Sequence, residues 1–527
     1  MREILKKHKF LYALTILVGV VISLVNVLVA YIIGQMIDNI TQGGLSRLTF
    51  FIILIVLFIV SYTLFGILYS YLSGLLSKKI LHDIKGRVYN NLSQMPIYQY
   101  QEKDMSFYYN MLTQDINEIN DNYIERKYDT VVSVIAFFIS LGALFSIHWL
   151  MALIFIGLTL LIILFPSFLM KLQEKSRIRF SAGNEKFMRE LENILSGFES
   201  LKVLNVSKRL FQKMDKEDND LEDARLRRTL TDGGVAYIVS GISFSVQLLC
   251  ILVGSYFVIR GEITTGGLMT AVQILNSVVA PINVVSTNNN LMNSTKPLRE
   301  KLEGFLIRPE QSGKSVRQGD ILFQNVSLRL ADKQVLDGFD YHFKKDNSYI
   351  IIGESGSGKS TLAKLIAGFY ADFEGKILYD NMDAREIDIN SIPEMVRYIG
   401  ANTYVINDSL KENIRMYRDY TDEEVAAVAS QVGFGKEMLE KSELGHGGKF
   451  ISSGEYQRIA IARAMLEKPY CIILDEPTAN LDKENTQKIQ EIIKQLDAPI
   501  KIVISHDYDD EYLASFDNVL NMSRGAN

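Results

Sequence analysis

The sequence predicts two folds in one chain: a membrane all-α domain of six transmembrane helices with long cytoplasmic helical extensions, then an α/β domain built around a phosphate-binding loop. Three observations predict it. Six mostly apolar stretches, each long enough to cross a bilayer, lie before about residue 290. From about residue 320 the apolar runs shorten to strand length and alternate with amphipathic segments. A glycine-rich loop at 353–361 then joins one such strand to a helix.

The six stretches are residues 10–37, 49–77, 130–148, 150–170, 235–259 and 266–285, nearly free of Asp, Glu, Lys and Arg. The connections 38–48, His148-Trp149 and 260–266 are short and poor in Lys and Arg. Those at 78–129 and 171–234 are long and rich in both charge signs. Basic loops stay on the cytoplasmic side, so the long loops, both chain ends and the C-terminal domain are expected there. Apolar residues recur at helical spacing in Ile80, Leu81, Ile84 and Val88, and again in Phe187, Leu191, Ile194, Leu195 and Phe198. The spans are therefore expected to continue past the bilayer and turn near 109–117 and 197–206. The basic N-terminus (Arg2, Lys6, Lys7, Lys9) precedes an apolar run too long for a signal-peptide core. No carboxylate or lysine sits centrally in a span, which argues against ion-coupled transport. Gln273, Asn276, Ser277 and Asn283 share roughly one face of the sixth stretch; they either line a cavity or bond neighbouring helices.

A length of 527 residues exceeds one compact core, and the boundaries are read as 1–300 for the membrane domain, 301–319 for a linker and 320–527 for the α/β domain. Net charge is −5, which gives no reason to expect a nucleic-acid partner. Cys250 and Cys471 lie in apolar runs and read as core residues.

The motif Gly353-Glu354-Ser355-Gly356-Ser357-Gly358-Lys359-Ser360-Thr361 fits the phosphate-loop pattern, with an apolar strand before it and a helix after it. The glycines let backbone N–H groups curl around phosphate oxygens at a helix N-terminus. Lys359 would reach the β- and γ-phosphates of ATP, and the Ser360 hydroxyl would ligate Mg2+. A second apolar strand ends in Asp475-Glu476, where Asp475 suits Mg2+ and Glu476 suits a general base for water. A third ends at Ser505-His506, whose imidazole is a candidate contact for the γ-phosphate. These residues make the second domain a P-loop NTPase.

The chain resembles the ABC transporter family, specifically exporters with fused membrane and ATPase domains. The decisive match is Ile451-Ser452-Ser453-Gly454-Glu455-Tyr456-Gln457-Arg458, which looks like the family signature LSGGQ-x-Q-R and stands just before Asp475. The resemblance implies that Ser452, Ser453, Gly454 and Glu455 bind the γ-phosphate held by a partner's phosphate loop. Ala479-Asn480-Leu481-Asp482 looks like the family's D-loop, and Glu443 falls in a segment like its exporter-specific loop. Three departures stand out. Ala401 occupies the place of a family glutamine that touches Mg2+, with Asn402 beside it; Leu330 replaces the aromatic residue that stacks on adenine; Ser453 and Glu455 replace a signature glycine and glutamine.

What the resemblance implies is a half-transporter in a bacterial cell membrane, paired with a second half-transporter subunit around two ATP molecules. A homodimer is the favoured arrangement. A heterodimer is the alternative, its weakened site marked by Ala401 and Leu330. A third reading, an ATP-gated regulatory membrane protein, is disfavoured by Glu476 and His506. A peptide is the favoured cargo.

Overall fold

The computed structural model describes residues 2–42, 48–306, 313–330, 333–400, 404–439, 444, 451–479, 481–506 and 508–522, with the backbone alone of 2, 48, 161–164, 166–168, 170, 171 and 453. Ala401, Asn402, Glu443 and Asn480 lie outside the described residues. The chain forms two compact units: Met1–Gly86 with Asn110–Gly304, and Arg87–Tyr109 with Phe305–Asn527.

The described residues up to Leu306 are helical, and apart from Arg87–Tyr109 and the last two residues of the final helix they belong to the first unit. After the short helix Arg2–Lys7 come α1 (Lys9–Thr41), α2 (Leu48–Ser93), the short α3 (Ile97–Gln101), α4 (Met105–Ile147), α5 (Trp149–Ser196), the short α6 (Phe198–Val203), α7 (Ser207–Ile259), α8 (Thr265–Ser294) and α9 (Lys296–Leu306). Five of the expected spans lie on helices long and apolar enough to cross a membrane, the third ending at Ile147 rather than His148; the remaining one, 150–170, lies in α5, of which Trp149–Leu160 is a shorter apolar stretch. The helical turn Phe198–Val203 sits where the second long loop is expected to reverse. The first long loop differs from the expected turn near 109–117: the chain breaks at Gln94–Met95, before Pro96, and runs on as a helix with two π-type turns from Met105. Proline lacks an N–H and pushes the preceding residue out of the α region, so the break falls there.

The core of this unit joins α1, α4, α5, α7 and α8 through Val27, Leu144, Phe155, Cys250, Phe257 and Ile274. Lipid offers no hydrophobic drive between helices, so close approach of small residues carries the packing. At α1–α8 a Cβ on Gly34 would lie 1.9 Å from Thr270 Oγ1 and 2.6 Å from the Gly266 carbonyl oxygen. That proximity lets the Thr270 hydroxyl donate to the Ala30 and Gly266 carbonyls at 3.2 and 2.9 Å. One turn further on, Asp38 accepts from the Gly266 N–H and the Thr264 hydroxyl, both at 2.7 Å, and so satisfies the start of α8. By contrast, α2 leaves Ile52, Ile53, Val56, Leu57 and Val60 exposed in the single chain, a surface suited to lipid tails.

The second unit holds two sheets. The antiparallel one has the order β2-β1-β4-β5, from β1 (Ile321–Leu330), β2 (Lys333–Phe343), β4 (Glu374–Tyr379) and β5 (Met382–Asp383). The parallel one has the order β6-β7-β8-β3-β9, from β3 (Asn347–Ile352), β6 (Val396–Ile399), β7 (Cys471–Asp475), β8 (Ile500–Ile504) and β9 (Asn518–Asn521). β7 is buried at every position, as expected for a parallel strand covered on both faces. One core lies around the antiparallel sheet and the phosphate-loop helix α10 (Lys359–Ile366), through Phe323, Phe343, Leu362 and Ile502. The other packs α11 (Leu410–Arg415), α12 (Asp422–Gln431), α13 (Ser453–Glu467) and α14 (Lys483–Lys494) on the parallel sheet, through Ile350, Leu410, Val425, Ile461, Leu474 and Ile489. Arg87–Tyr109 is built into this unit: Pro96, Tyr98 and Gln99 line a cavity with Tyr370, Phe373, Arg385 and Ile389, and the Tyr108 and Phe305 rings meet at 6.1 Å.

Candidate functional site

In open α/β sheets ligands gather beyond the carboxyl ends of the strands. Here the ends of β3, β7 and β8 are in register: Asp475 pairs with Ile504, which pairs with Ile351. The loop after β3 therefore faces the residues that follow β7 and β8.

The loop itself is shaped by its glycines. Gly353 has φ +145, and a Cβ there would lie 2.2 Å from the Met522 carbonyl oxygen. Gly358, at φ +98, turns the chain into α10, and a Cβ would press on the Val335 carbonyl oxygen at 3.0 Å. Only glycine meets both demands without strain. The Lys359 ammonium, almost fully buried, folds back to donate to the Gly353 and Glu354 carbonyls at 2.9 and 2.8 Å. Burial pulls its pKa below the ordinary lysine value, while Glu476 and Asp475 act to raise it.

Ser360, the second residue of α10, donates to Asp475 Oδ1 at 3.0 Å. The other carboxylate oxygen of Asp475 accepts from the Tyr398 hydroxyl at 2.7 Å. Glu476 follows with φ +51, a left-handed conformation uncommon outside glycine; its N–H donates to the Ile504 carbonyl and its own carbonyl accepts from Ala479. That turn aims its side chain toward the end of β8, where His506 Nε2 lies 3.3 Å from Glu476 Oε1. Ser360, Lys364, Phe369, Tyr398, Gly400, Asp475 and Glu476 line a cavity of about 500 Å³. Sequence reasoning picked out Ser360, Asp475, Glu476 and His506 but missed Tyr398 and Phe369. Tyr398 stands three residues before Ala401 on a short strand, and only the side-by-side pairing of β6 with β7 brings it to Asp475.

The signature segment stands apart. Ser452 caps α13: its hydroxyl accepts from the Glu455 N–H at 3.4 Å, and the Glu455 carboxylate accepts from the Ser452 N–H at 2.6 Å and hydroxyl at 2.8 Å. This is a reciprocal capping box. Ser453 opens the helix, and Gly454 lines a different cavity, of about 530 Å³, with Arg458, Glu484 and Lys488. Leu330 ends β1, half-buried against the core.

The donor set fits a nucleotide with a hard divalent cation. The Ser357 Oγ is buried with no hydrogen-bond partner among the described residues, as a group awaiting a phosphate oxygen would be. Ser360 and Asp475 offer oxygen ligands of the kind Mg2+ takes alongside phosphates. Among the described residues no cluster of three His, Cys, Asp or Glu stands ready to hold a metal by itself.

Fold and site together define a multi-pass membrane protein carrying its own nucleotide-binding ATPase domain. The chain belongs to the ABC transporter family: residues 12–282 match the family model of the ABC transporter transmembrane region and residues 336–479 that described as ABC transporter. It is an exporter-type half-transporter that hydrolyses ATP. Its relatives include the putative multidrug export ATP-binding/permease protein YgaD of Bacillus subtilis, 24% identical over 525 residues, covering 94% of this chain and 89% of that protein. The ATP-dependent lipid A-core flippase of Wigglesworthia glossinidia brevipalpis is 23% identical over 453 residues, covering 82% of this chain and 77% of the flippase. In fold the chain is similar to a bacterial Atm1-family ABC exporter with ATP bound, at a TM-score of 0.78 and 19% identity, over 99% of this chain and 94% of that one.

Proposed function

We propose that two copies of this chain form a homodimeric exporter in a bacterial cell membrane, and that ATP bound between their ATPase domains drives an amphipathic cargo outward. The observation that supports the dimer is the division of the groups proposed to bind phosphate: Ser360 of the phosphate loop and Gly454 of the signature segment line separate cavities of one chain. A composite site, with the phosphate loop of one protomer and Ser452, Ser453, Gly454 and Glu455 of its partner, brings them to one nucleotide.

Within that site Lys359 and the N–H groups of 353–361 bind phosphate. Ser360 and Asp475 would hold Mg2+, which when bound neutralises charge on the phosphate oxygens. Glu476 accepts the proton of the attacking water, and His506 orients Glu476 from 3.3 Å. Arg87–Tyr109, packed with the ATPase fold, carries its movement to α2 and α4. Both termini and the ATPase domain are cytoplasmic in this reading.

The cargo reading rests on α8. Gln273, Asn276 and Asn283 are exposed, whereas Ala271, Ile274, Leu275 and Val278 beside them are buried. An uncharged amide stripe in a membrane helix favours a cargo that is apolar overall with hydrogen-bonding groups, such as a hydrophobic peptide. The multidrug and lipid relatives make a lipid-like amphiphile the second candidate.

The test is Mg2+-dependent ATPase activity of the purified chain alone in lipid nanodiscs, with particle mass recorded and Lys359→Ala as the control. Turnover by a two-copy particle, lost in the control and stimulated by hydrophobic peptides, supports the reading. Nucleotide binding without turnover moves it to a heterodimer; stimulation by lipids alone replaces the peptide.

A further inference from the structure

Asp475 is 6% exposed, and both of its oxygens are spoken for: Ser360 donates to one, Tyr398 to the other. A carboxylate meant to face a cation needs its rotamer fixed, because a ligand that swings between positions loses affinity for the ion. Tyr398 is held for that task. Its ring meets Phe369 edge-on at 5.3 Å. Gly400, two residues on, leaves room for it: a Cβ there would crowd the Tyr398 hydroxyl at 3.2 Å and the ring at 3.1 Å. The strand pairing of β6 and β7, Ile399 opposite Leu474, places the phenol beside the carboxylate. A phenol is protonated at neutral pH and a carboxylate can only accept, so the 2.7 Å contact is a hydrogen bond from Tyr398 to Asp475.

We propose that Tyr398 is a positioning residue of the metal half of the nucleotide site: its hydroxyl anchors the outer oxygen of Asp475, so that the oxygen shared with Ser360 stays directed at the divalent cation. The proposal rests on the reading of Ser360 and Asp475 as the residues that would hold Mg2+. It assigns to this chain a polar support three residues before Ala401, whose methyl group can supply no ligand.

The experiment uses the full chain in nanodiscs and a fluorescent ATP analogue titrated in EDTA and in graded Mg2+. Tyr398→Phe keeps the ring and its packing on Phe369 and deletes only the donor. Affinity in EDTA should be unchanged. The Mg2+ concentration giving half of the metal-dependent gain in affinity should rise about tenfold, the lower end of the effect of removing an outer-shell partner. An unchanged Mg2+ midpoint overturns the proposal, and so does an equal loss of affinity with and without the metal, which marks a merely structural residue. Asp475→Asn separates the two readings: if it retains the full Mg2+-dependent gain, the metal assignment itself fails; if it loses that gain while Tyr398→Phe keeps it, only the role of Tyr398 fails.

Discussion

Replacing Glu476 by Gln changes one oxygen to an amide and leaves the shape of the site intact. The side chain already sits on a left-handed backbone at φ +51, held by hydrogen bonds from its N–H to Ile504 and from Ala479 to its carbonyl, none of which involves the carboxylate. The amide oxygen can still face His506 at the present 3.3 Å. What disappears is the capacity to take a proton from water. General bases contribute roughly 10²–10⁴-fold, so Glu476→Gln is expected to raise the barrier to hydrolysis by about 3–5 kcal/mol. ATP binding should be retained, because Lys359 and the loop N–H groups are untouched. Mg2+-dependent phosphate release in nanodiscs measures the first expectation, and nucleotide retained on the protein after rapid filtration measures the second. Turnover within about fivefold of the unmodified chain would show that another group accepts the proton.

Three further outcomes follow from packing and charge. Asp38→Ala strips the acceptor from the Gly266 N–H and the Thr264 hydroxyl at the start of α8; loss of this cap should cost about 2 kcal/mol and lower the midpoint of thermal unfolding, whereas Asp38→Asn should recover part of it. Glu467, with a side chain 12% exposed, pairs with both Arg397 and Arg418; Glu467→Gln leaves two guanidinium groups short of a counter-charge and should cost about 2 kcal/mol, read as early melting of the ATPase unit. Hydrogen bonds from the Ser348 hydroxyl and N–H hold the Asp517 carboxyl below its usual value. Its contribution to stability is then complete above the unfolded value of about 3.9 and lost as pH falls through the folded one, so Ser348→Ala should lower stability at neutral pH, with the difference from the unmodified chain in a denaturation titration shrinking as pH falls below about 4.

The parts of this chain that were legible in its sequence are those where local pattern and tertiary context agree. Six apolar runs admit only a membrane bundle, and a strand, a glycine loop and a helix in sequence admit little besides a phosphate loop. The turn after α2 was misplaced because the cited apolar spacing ends at Val88 and the interruption that follows is marked only by a single proline, Pro96. The joining of Arg87–Tyr109 to the ATPase unit was hidden for a related reason: its contacts are to residues hundreds of positions away, such as Phe305 and Tyr370. Tyr398 carried no motif at all. It becomes visible only when β6 is laid against β7.

The groups proposed to bind phosphate share one property that bears on how ATP would act. Lys359 donates to two carbonyls of its own loop, and the Ser452 N–H and hydroxyl donate to Glu455. A phosphate arriving at either place therefore exchanges hydrogen bonds rather than adding them, and each exchange is worth only about 0.5–1.5 kcal/mol. In the composite site proposed above, a phosphate at the signature cap would also meet the carboxylate of Glu455, a like charge, so contact there would be weakest while the phosphate stands alone. In the dimer proposed above, burial of the site on closure would strengthen the remaining donors, since charge interactions grow as water leaves. Tight capture of the nucleotide is then tied to closure itself, and a ligand moves an equilibrium only by the difference in its affinity for the two states.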